Sequence, residues 1–126
     1  MIALAPIGEK EEINRLFSES GLGFSEISGC VKAKCGEEVI GYCLYDLDKS
    51  CIVIYKIIPE NDLMLADGIL RSTLHVAAER SIMNAFYSGG DVERLCDKLG
   101  FILDREEKRL NINKLFESCC SCQKNN

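Results

Sequence analysis

The sequence predicts a mixed α/β domain in which a central β-sheet carries helices on both of its faces. A hairpin pattern leads directly into an apolar strand over residues 51–58, and units of helix and strand alternate after it. Hairpins join antiparallel strands and helical crossovers join parallel ones, so the two patterns together predict a mixed sheet. The length of 126 residues suits one hydrophobic core.

The amino-terminal half is predicted to contain a helix followed by three strands. Residues 9–20 carry an apolar stripe at helical spacing and are followed by two glycines. Residues 30–34 and 39–45 have the pattern of a hairpin around a short glycine turn. Residues 51–58 are apolar on both faces and rich in β-branched side chains, which predicts a central strand that ends before Pro59.

The carboxy-terminal half is predicted to alternate between helices and strands. In chain order its segments are a helix that starts at Asp62 or Asp67 and runs to Arg80, followed by residues 82–87 (strand), 91–99 (helix), 101–103 (strand) and 109–112 (strand). We expect Asp91 to cap the second helix and Gly100 to end it. The whole is expected to form one domain over residues 1–117, followed by a polar, cysteine-rich tail over residues 118–126.

Composition excludes several classes of function. The formal net charge of −5 disfavours binding to nucleic acid, and the basic residues form no stripe. No apolar run approaches the length of a membrane span, which predicts no membrane partner. The first residues, MIALAPIGEKEE, have no basic start before their apolar stretch, so we expect no secretory signal and a cytoplasmic location.

Eight cysteines are many for a chain of this size. Without a secretory signal they are expected to be reduced thiols. Three of them, Cys119, Cys120 and Cys122, fall within four residues and are weak candidates for ligands of a soft metal or an iron–sulfur cluster. No Cys-x-x-Cys pair elsewhere completes a four-ligand set, which favours a thiol-rich tail without metal.

Three segments carry a resemblance to a known family. Residues 57–62 read IIPEND, residues 66–77 read ADGILRSTLHVA, and residues 92–101 read VERLCDKLGF. Together with the order of helices and strands, they resemble the GNAT N-acetyltransferases over residues 9–112. The third segment is the most specific, because its lysine, glycine and aromatic residue keep the family's spacing.

The resemblance implies an acyl-coenzyme A co-substrate, acetyl-CoA or another acyl-CoA. Its pantetheine arm would lie along Ile57 and Ile58. The implied diphosphate cradle comprises Gly68, Ile69, Leu70 and Arg71. A helix N-terminus suits such a ligand because it presents unpaired N–H groups and partial positive charge. The alternative is that Gly68 is an ordinary glycine within a helix that starts at Asn61 or Asp62.

Several motif positions differ from the family pattern. Leu65 stands where the family has Arg or Gln, and Leu70 stands where it has a second Gly or Ala. Asp67 places a negative charge inside the implied phosphate loop. Cys96 replaces a tyrosine, and Gly89 replaces an asparagine.

Three residues are candidates for the chemistry of acyl transfer. Cys96 and Tyr87 are possible acids for the departing thiolate, although packing in the core explains each of them more simply. Glu60, directly after the central strand, is a possible base for the attacking amine, and an exposed loop carboxylate explains it equally well.

These observations predict an acyl-CoA-dependent N-acyltransferase that acts on a small-molecule amine or a peptide, with a homodimer as a possible state. The alternative is a GNAT-fold binding or regulatory protein without catalysis, which the changed motif positions favour. A metal or redox role for the cysteine tail is a third, weaker possibility.

Overall fold

The computed structural model describes residues 2–117, which contain three main helices, seven strands and a helical turn over residues 114–117. In chain order they are β1 (Ile2–Pro6), α1 (Lys10–Glu19), β2 (Ser28–Cys35), β3 (Glu38–Leu47), β4 (Ile52–Ile58), α2 (Leu63–Ala78), β5 (Ala85–Tyr87), α3 (Gly90–Leu99), β6 (Ile102–Asp104) and β7 (Arg109–Leu110).

All the strands belong to one mixed sheet with the order β1-β2-β3-β4-β5-β7-β6. The first four strands form an antiparallel meander. The α2 crossover makes β5 parallel to β4, and β7 then runs antiparallel to both β5 and β6. The predicted mixed α/β sheet is therefore confirmed.

The sheet separates two hydrophobic clusters. On one face, Ile13 and Phe17 of α1 pack against Cys30 and Leu44 of the sheet. On the other face, α2 and α3 contribute buried side chains to the larger cluster, which includes Ile54 of β4. The helices thus cover both faces, and β4 is enclosed on both sides as its apolar run predicts.

Two features differ from the sequence-based expectation. Strand β1, which pairs with β2 from Ile2 opposite Cys35 to Pro6 opposite Val31, was not anticipated. Asp91 does not cap α3, because the helix begins one residue earlier and Gly89 occupies the N-cap position. Gly100 ends α3 as predicted, in the left-handed conformation with φ of +78°.

The cysteines within residues 2–117 are not paired with one another, and the expected reduced state stays a prediction. Cys119, Cys120 and Cys122 lie outside the described residues, so their metal-binding role and the tail boundary stay predictions. Within the described range, no helix combines the length and the apolar character that crossing a membrane requires.

Candidate functional site

A cleft of about 340 Å³ opens where β4 separates from β5. The parallel pairing of these strands covers only Ile52–Ile54 of β4, whereas β4 itself continues to Ile58. Residues 55–58 and Glu60 form one wall of the cleft, and residues 89–92 of the α3 N-terminus form the other. The free edge of β4 therefore faces the start of a helix.

A β-bulge in β4 accompanies this separation. Leu44 of β3 pairs with Lys56 and the next residue, Tyr45, pairs with Ile54, which leaves Tyr55 as the extra residue. A bulge bends its strand and increases the local twist. We attribute the divergence of β4 from β5 beyond Ile54 to this bend.

Tyr55 is held firmly in the cleft wall. Its hydroxyl donates a hydrogen bond to Oδ2 of Asp46 at 2.9 Å, and its ring packs edge-on against Phe17 with centroids 6.2 Å apart. Burial, followed by the bond to Asp46, raises the pKa of Tyr55 to about 12. The phenol is therefore neutral at physiological pH and acts as a fixed wall of the cleft.

The N-terminus of α3 points unpaired amides at the cleft. Gly89 adopts φ of +122° and accepts the first helical hydrogen bond from the Glu93 N–H at 3.1 Å. The three preceding N–H groups, of residues 90–92, come before any helical acceptor. Because these residues line the cleft, the amino-terminal end of α3 faces it, with the exposed Asp91 carboxylate in the same turn.

The two residues that were predicted to contact the pantetheine arm both lie in the cleft wall. Ile57 is 3% exposed and Ile58 is half-buried, so what they offer to a ligand is mainly the peptide backbone of the β4 edge. The candidate base Glu60 is exposed and lines the same cleft. The structure thus brings these three residues together.

The residues of the predicted phosphate cradle do not lie at a helix N-terminus. The residues from Gly68 to Arg71 lie inside α2, which runs without interruption from Leu63 to Ala78. Ile69 and Leu70 are completely buried in the core. Their N–H groups lie beyond the first turn and therefore follow helical acceptors. The alternative interpretation, a glycine within a helix capped by Asp62, is the one that the structure shows.

Arg71 is also committed to other partners. Its Nε donates a hydrogen bond to Oδ2 of Asp67 at 2.9 Å, one helical turn away. Its guanidinium lies over the ring of Phe101, 5.1 Å from the centroid. Phe101 belongs to the VERLCDKLGF segment, so this part of the resemblance reflects packing between α2 and the strand after α3.

The two candidate acids lie in the core. Cys96 is fully buried, and burial raises the pKa of its thiol to about 12. Tyr87 is 2% exposed, and its hydroxyl donates to Oε2 of Glu93 at 2.5 Å. Burial and then this hydrogen bond raise the pKa of Tyr87 to about 12. Both side chains have the packing role that the sequence already offered as the simpler explanation.

Sequence reasoning missed most of the cleft lining. Tyr55 and Lys56 were predicted only as members of the central strand. Asp91 was predicted only as a helix cap, yet it forms a wall of the cleft together with Gly90. The Gly89-Gly90 pair at the start of a helix was the available signal, since glycines allow close approach to a helix N-terminus.

Within residues 2–117, no group of three or more histidine, cysteine or acidic side chains is arranged to hold a metal ion. The described chemistry of the cleft is that of backbone amides, the two exposed carboxylates of Glu60 and Asp91, and one lysine.

Comparison with solved structures finds acetyltransferases. A ribosomal-protein-alanine N-acetyltransferase from Brucella melitensis biovar Abortus 2308 superimposes with a TM-score of 0.60 and 12% identity, covering 79% of this chain and 90% of that one. A putative GNAT-family acetyltransferase from Desulfovibrio desulfuricans gives 0.58 and 13%, with 82% and 87% covered. A GNAT-family acetyltransferase from Elizabethkingia anophelis with acetyl-CoA bound gives 0.56 and 15%, with 82% and 78% covered.

Neither a protein-family model nor a curated protein matches the sequence. At these sequence identities the similarity shows a shared fold, and the three solved structures agree on that fold. The chain has the fold of the GNAT acetyltransferases, as its sequence resemblance predicted.

Proposed function

We propose that this protein transfers an acyl group from acyl-CoA to an amine, and that the reaction takes place in the cleft between β4 and α3. The observation that carries the proposal is the separation of β4 from β5 beyond Ile54, which leaves an open strand edge next to a helix N-terminus. The neighbouring folds are acetyltransferases, and one of them holds acetyl-CoA.

The free edge of β4 suits the pantetheine arm of the donor. That arm contains two amide groups, which can pair with backbone N–H and C=O groups in the manner of an added strand. Residues 55–58 offer such groups beyond the short pairing with β5. In this position the thioester lies between β4 and the first turn of α3.

The first turn of α3 then acts on the thioester carbonyl. When the amine attacks, negative charge develops on that oxygen, and preorganised N–H donors stabilise it. The N–H groups of residues 90–92 and the helix dipole supply such donors at the cleft wall.

Glu60 is the base in this proposal. A protonated amine cannot attack a carbonyl carbon, so a proton must first leave the nitrogen. The Glu60 carboxylate accepts it, directly or through one water. The amine nitrogen then bonds to the carbonyl carbon, the carbon–sulfur bond breaks, and the sulfur leaves as a thiolate while the nitrogen releases its second proton to water.

The thiolate needs no buried acid. An ordinary thiol has a pKa of about 8.5, so a thiolate is a competent leaving group near neutral pH and takes its proton from water. This matches the positions of Cys96 and Tyr87, which are buried away from the cleft lining.

A binding or regulatory protein without catalysis is the second candidate, and one observation favours it. The α2 N-terminus is capped by the Asp62 carboxylate instead of presenting a glycine-rich turn. If this is the function, purified protein will bind ligands in the cleft but consume no thioester with any amine.

Glu60→Gln tests the transferase proposal. Consumption of acetyl-CoA is followed by the loss of thioester absorbance with a panel of small amines and peptides. We expect kcat/KM to fall by about 10²-fold or more, the usual contribution of a general base. Glu79→Gln, exposed at the carboxy-terminal end of α2, removes the same charge at the opposite end of that helix from the cleft and is the control. Wild-type protein that consumes no thioester with any acceptor would refute catalysis.

A further inference from the structure

The path of the donor along β4 leads to the α2 N-terminus. Strand β4 ends at Ile58, and three residues separate it from Asp62, the N-cap of α2. A pantetheine arm whose thioester lies near Gly89 and whose chain follows β4 towards Ile58 leaves the cleft at this point. The chemical group at the far end of the arm must therefore contact residues 59–65.

The charge and hydrogen bonds at this point oppose a diphosphate. Oδ1 of Asp62 accepts a hydrogen bond from the Leu65 N–H at 3.1 Å, and the Asp62 carbonyl accepts one from the Ala66 N–H at 2.9 Å. The N–H donors of the first turn are thus partly taken by the chain itself. The Asp62 carboxylate also places a negative charge where phosphate oxygens would have to sit, and Glu60 adds a second one nearby.

The cations in this region do not offset these carboxylates. Arg71 is paired with Asp67 and stacked on Phe101. Lys56 lines the cleft itself, so it lies beside the arm and not beyond the end of β4.

The surface at the start of α2 offers no cation either. Leu63 and Met64 are 43% and 88% exposed. They line a shallow groove that adjoins the end of β4, together with the apolar residues Ile40, Pro59 and Leu65 and the polar residues Asn61 and Asp62. None of these lining residues carries a positive charge that could pair with a phosphate.

We infer that the donor is recognised through its acylated pantetheine arm alone, and that the nucleotide half of coenzyme A adds no affinity. The inference rests on the proposed function for the position of the thioester. The shared chemistry is an acyl-pantetheine thioester, which occurs in coenzyme A and also on the phosphopantetheine arm of acyl carrier proteins.

Calorimetric titration with pantetheine, coenzyme A and adenosine bisphosphate tests the inference without requiring turnover. We expect the Kd values of pantetheine and coenzyme A to agree within about threefold, and adenosine bisphosphate to show no binding. Coenzyme A binding ten times more tightly than pantetheine, or saturable binding of adenosine bisphosphate, would overturn it. So would the absence of binding by pantetheine.

Turnover measurements separate the two sources of the arm and the two proposals. Acetyl-pantetheine, acetyl-CoA and an acetylated carrier protein are compared as donors at equal concentration. Similar kcat/KM for the first two is expected, and a higher value for the third identifies the carrier protein as the source. Equal binding of pantetheine and coenzyme A without any turnover would refute the transferase and leave the recognition inference standing.

Asp62→Asn is the variant that isolates the charge. Asparagine caps helices about as well as aspartate, so α2 keeps its start. We expect coenzyme A to bind the variant about three to ten times more tightly, the size of one exposed charge interaction, with no change for pantetheine. Glu79→Gln again removes a charge at the opposite end of α2, and unfolding curves establish that both variants are folded. An unchanged ratio of the two Kd values would contradict the assigned role of Asp62.

Discussion

The two helices that begin beside the cleft start in opposite ways. Helix α2 starts under the Asp62 side chain, which caps it and adds negative charge. Helix α3 starts at Gly89, which has no side chain to cap with and holds φ of +122°. One start is closed by the chain's own carboxylate, whereas the other leaves its first N–H groups facing the cleft.

This difference illustrates two roles that a helix N-terminus can have. At α3 the exposed amides and the dipole are available to a ligand, because glycine leaves the space open. At α2 the amides of the first turn are bound by the chain's own cap, which stabilises the helix itself. Under the proposed function, the start of α3 is the one that serves acyl transfer, and the start of α2 is closed to a nucleotide.

Leu70→Ala gives the largest effect that we expect from this comparison. Leu70 is fully buried in the α2 core, so truncation removes apolar contacts and leaves a cavity. We expect a loss of about 2–5 kcal/mol in the free energy of unfolding, measured by urea denaturation. Met64→Ala, on the same helix but 88% exposed, should change it by less than about 0.5 kcal/mol. If Leu70 were a cofactor contact, its truncation would spare stability and weaken ligand binding instead.

Gly89→Ala comes next in size. At φ of +122° and ψ of 144° an L-residue is strained, although an added Cβ would be 3.6 Å from Val92 and 3.8 Å from the Tyr55 carbonyl oxygen, without a clash. We expect a destabilisation of about 1–3 kcal/mol from backbone strain alone.

The neighbouring Gly90→Ala is the matched control for Gly89. It lies within α3, and its added Cβ would meet only the end of the Arg94 side chain at 3.7 Å. Alanine is the better helix former, so we expect stability to be unchanged or higher by up to about 1 kcal/mol. Equal losses at both glycines in urea denaturation would show that the start of α3 is not set by Gly89.

Periodicity predicted the helices and the central strand because their signals are local. The stripe of α1 and the β-branched run of β4 depend on neighbouring residues alone. Strand β1 was missed because its five residues show no alternation and contain Pro6, and their pairing partner lies about thirty residues later in β2. That pairing is a tertiary event that a local pattern does not encode.

The candidate site was less predictable for similar reasons. The cleft depends on a bulge at Tyr55 and on the short pairing of β4 with β5, and neither feature produces a recognisable pattern in the sequence. The start of α2, in contrast, does produce such a pattern. Asp62 precedes an apolar helical stripe and is a good N-cap residue, yet the family pattern drew attention to Gly68 instead. Glu60 was found because it directly follows a recognisable strand.

We expect the smallest effect from Tyr87→Phe, which removes a hydrogen bond between the sheet and the first turn of α3. The Tyr87 hydroxyl donates to Glu93, which lies in that turn and is itself half-buried. Removing the hydroxyl leaves Glu93 able to hydrogen-bond with water, so we expect a loss of about 1 kcal/mol in unfolding free energy near neutral pH.

The pH dependence of this loss identifies its origin. The folded state raises the pKa of Tyr87 from 10.0 to about 12, so it favours the neutral phenol. That part of the stability is complete below pH 10 and is lost as the pH rises towards 12, because the unfolded chain releases the proton first. Urea denaturation of wild type and variant should therefore give a difference that shrinks across this interval. If the difference in unfolding free energy stayed constant with pH, the hydroxyl would act by filling space, and its proton would contribute nothing to the position of α3.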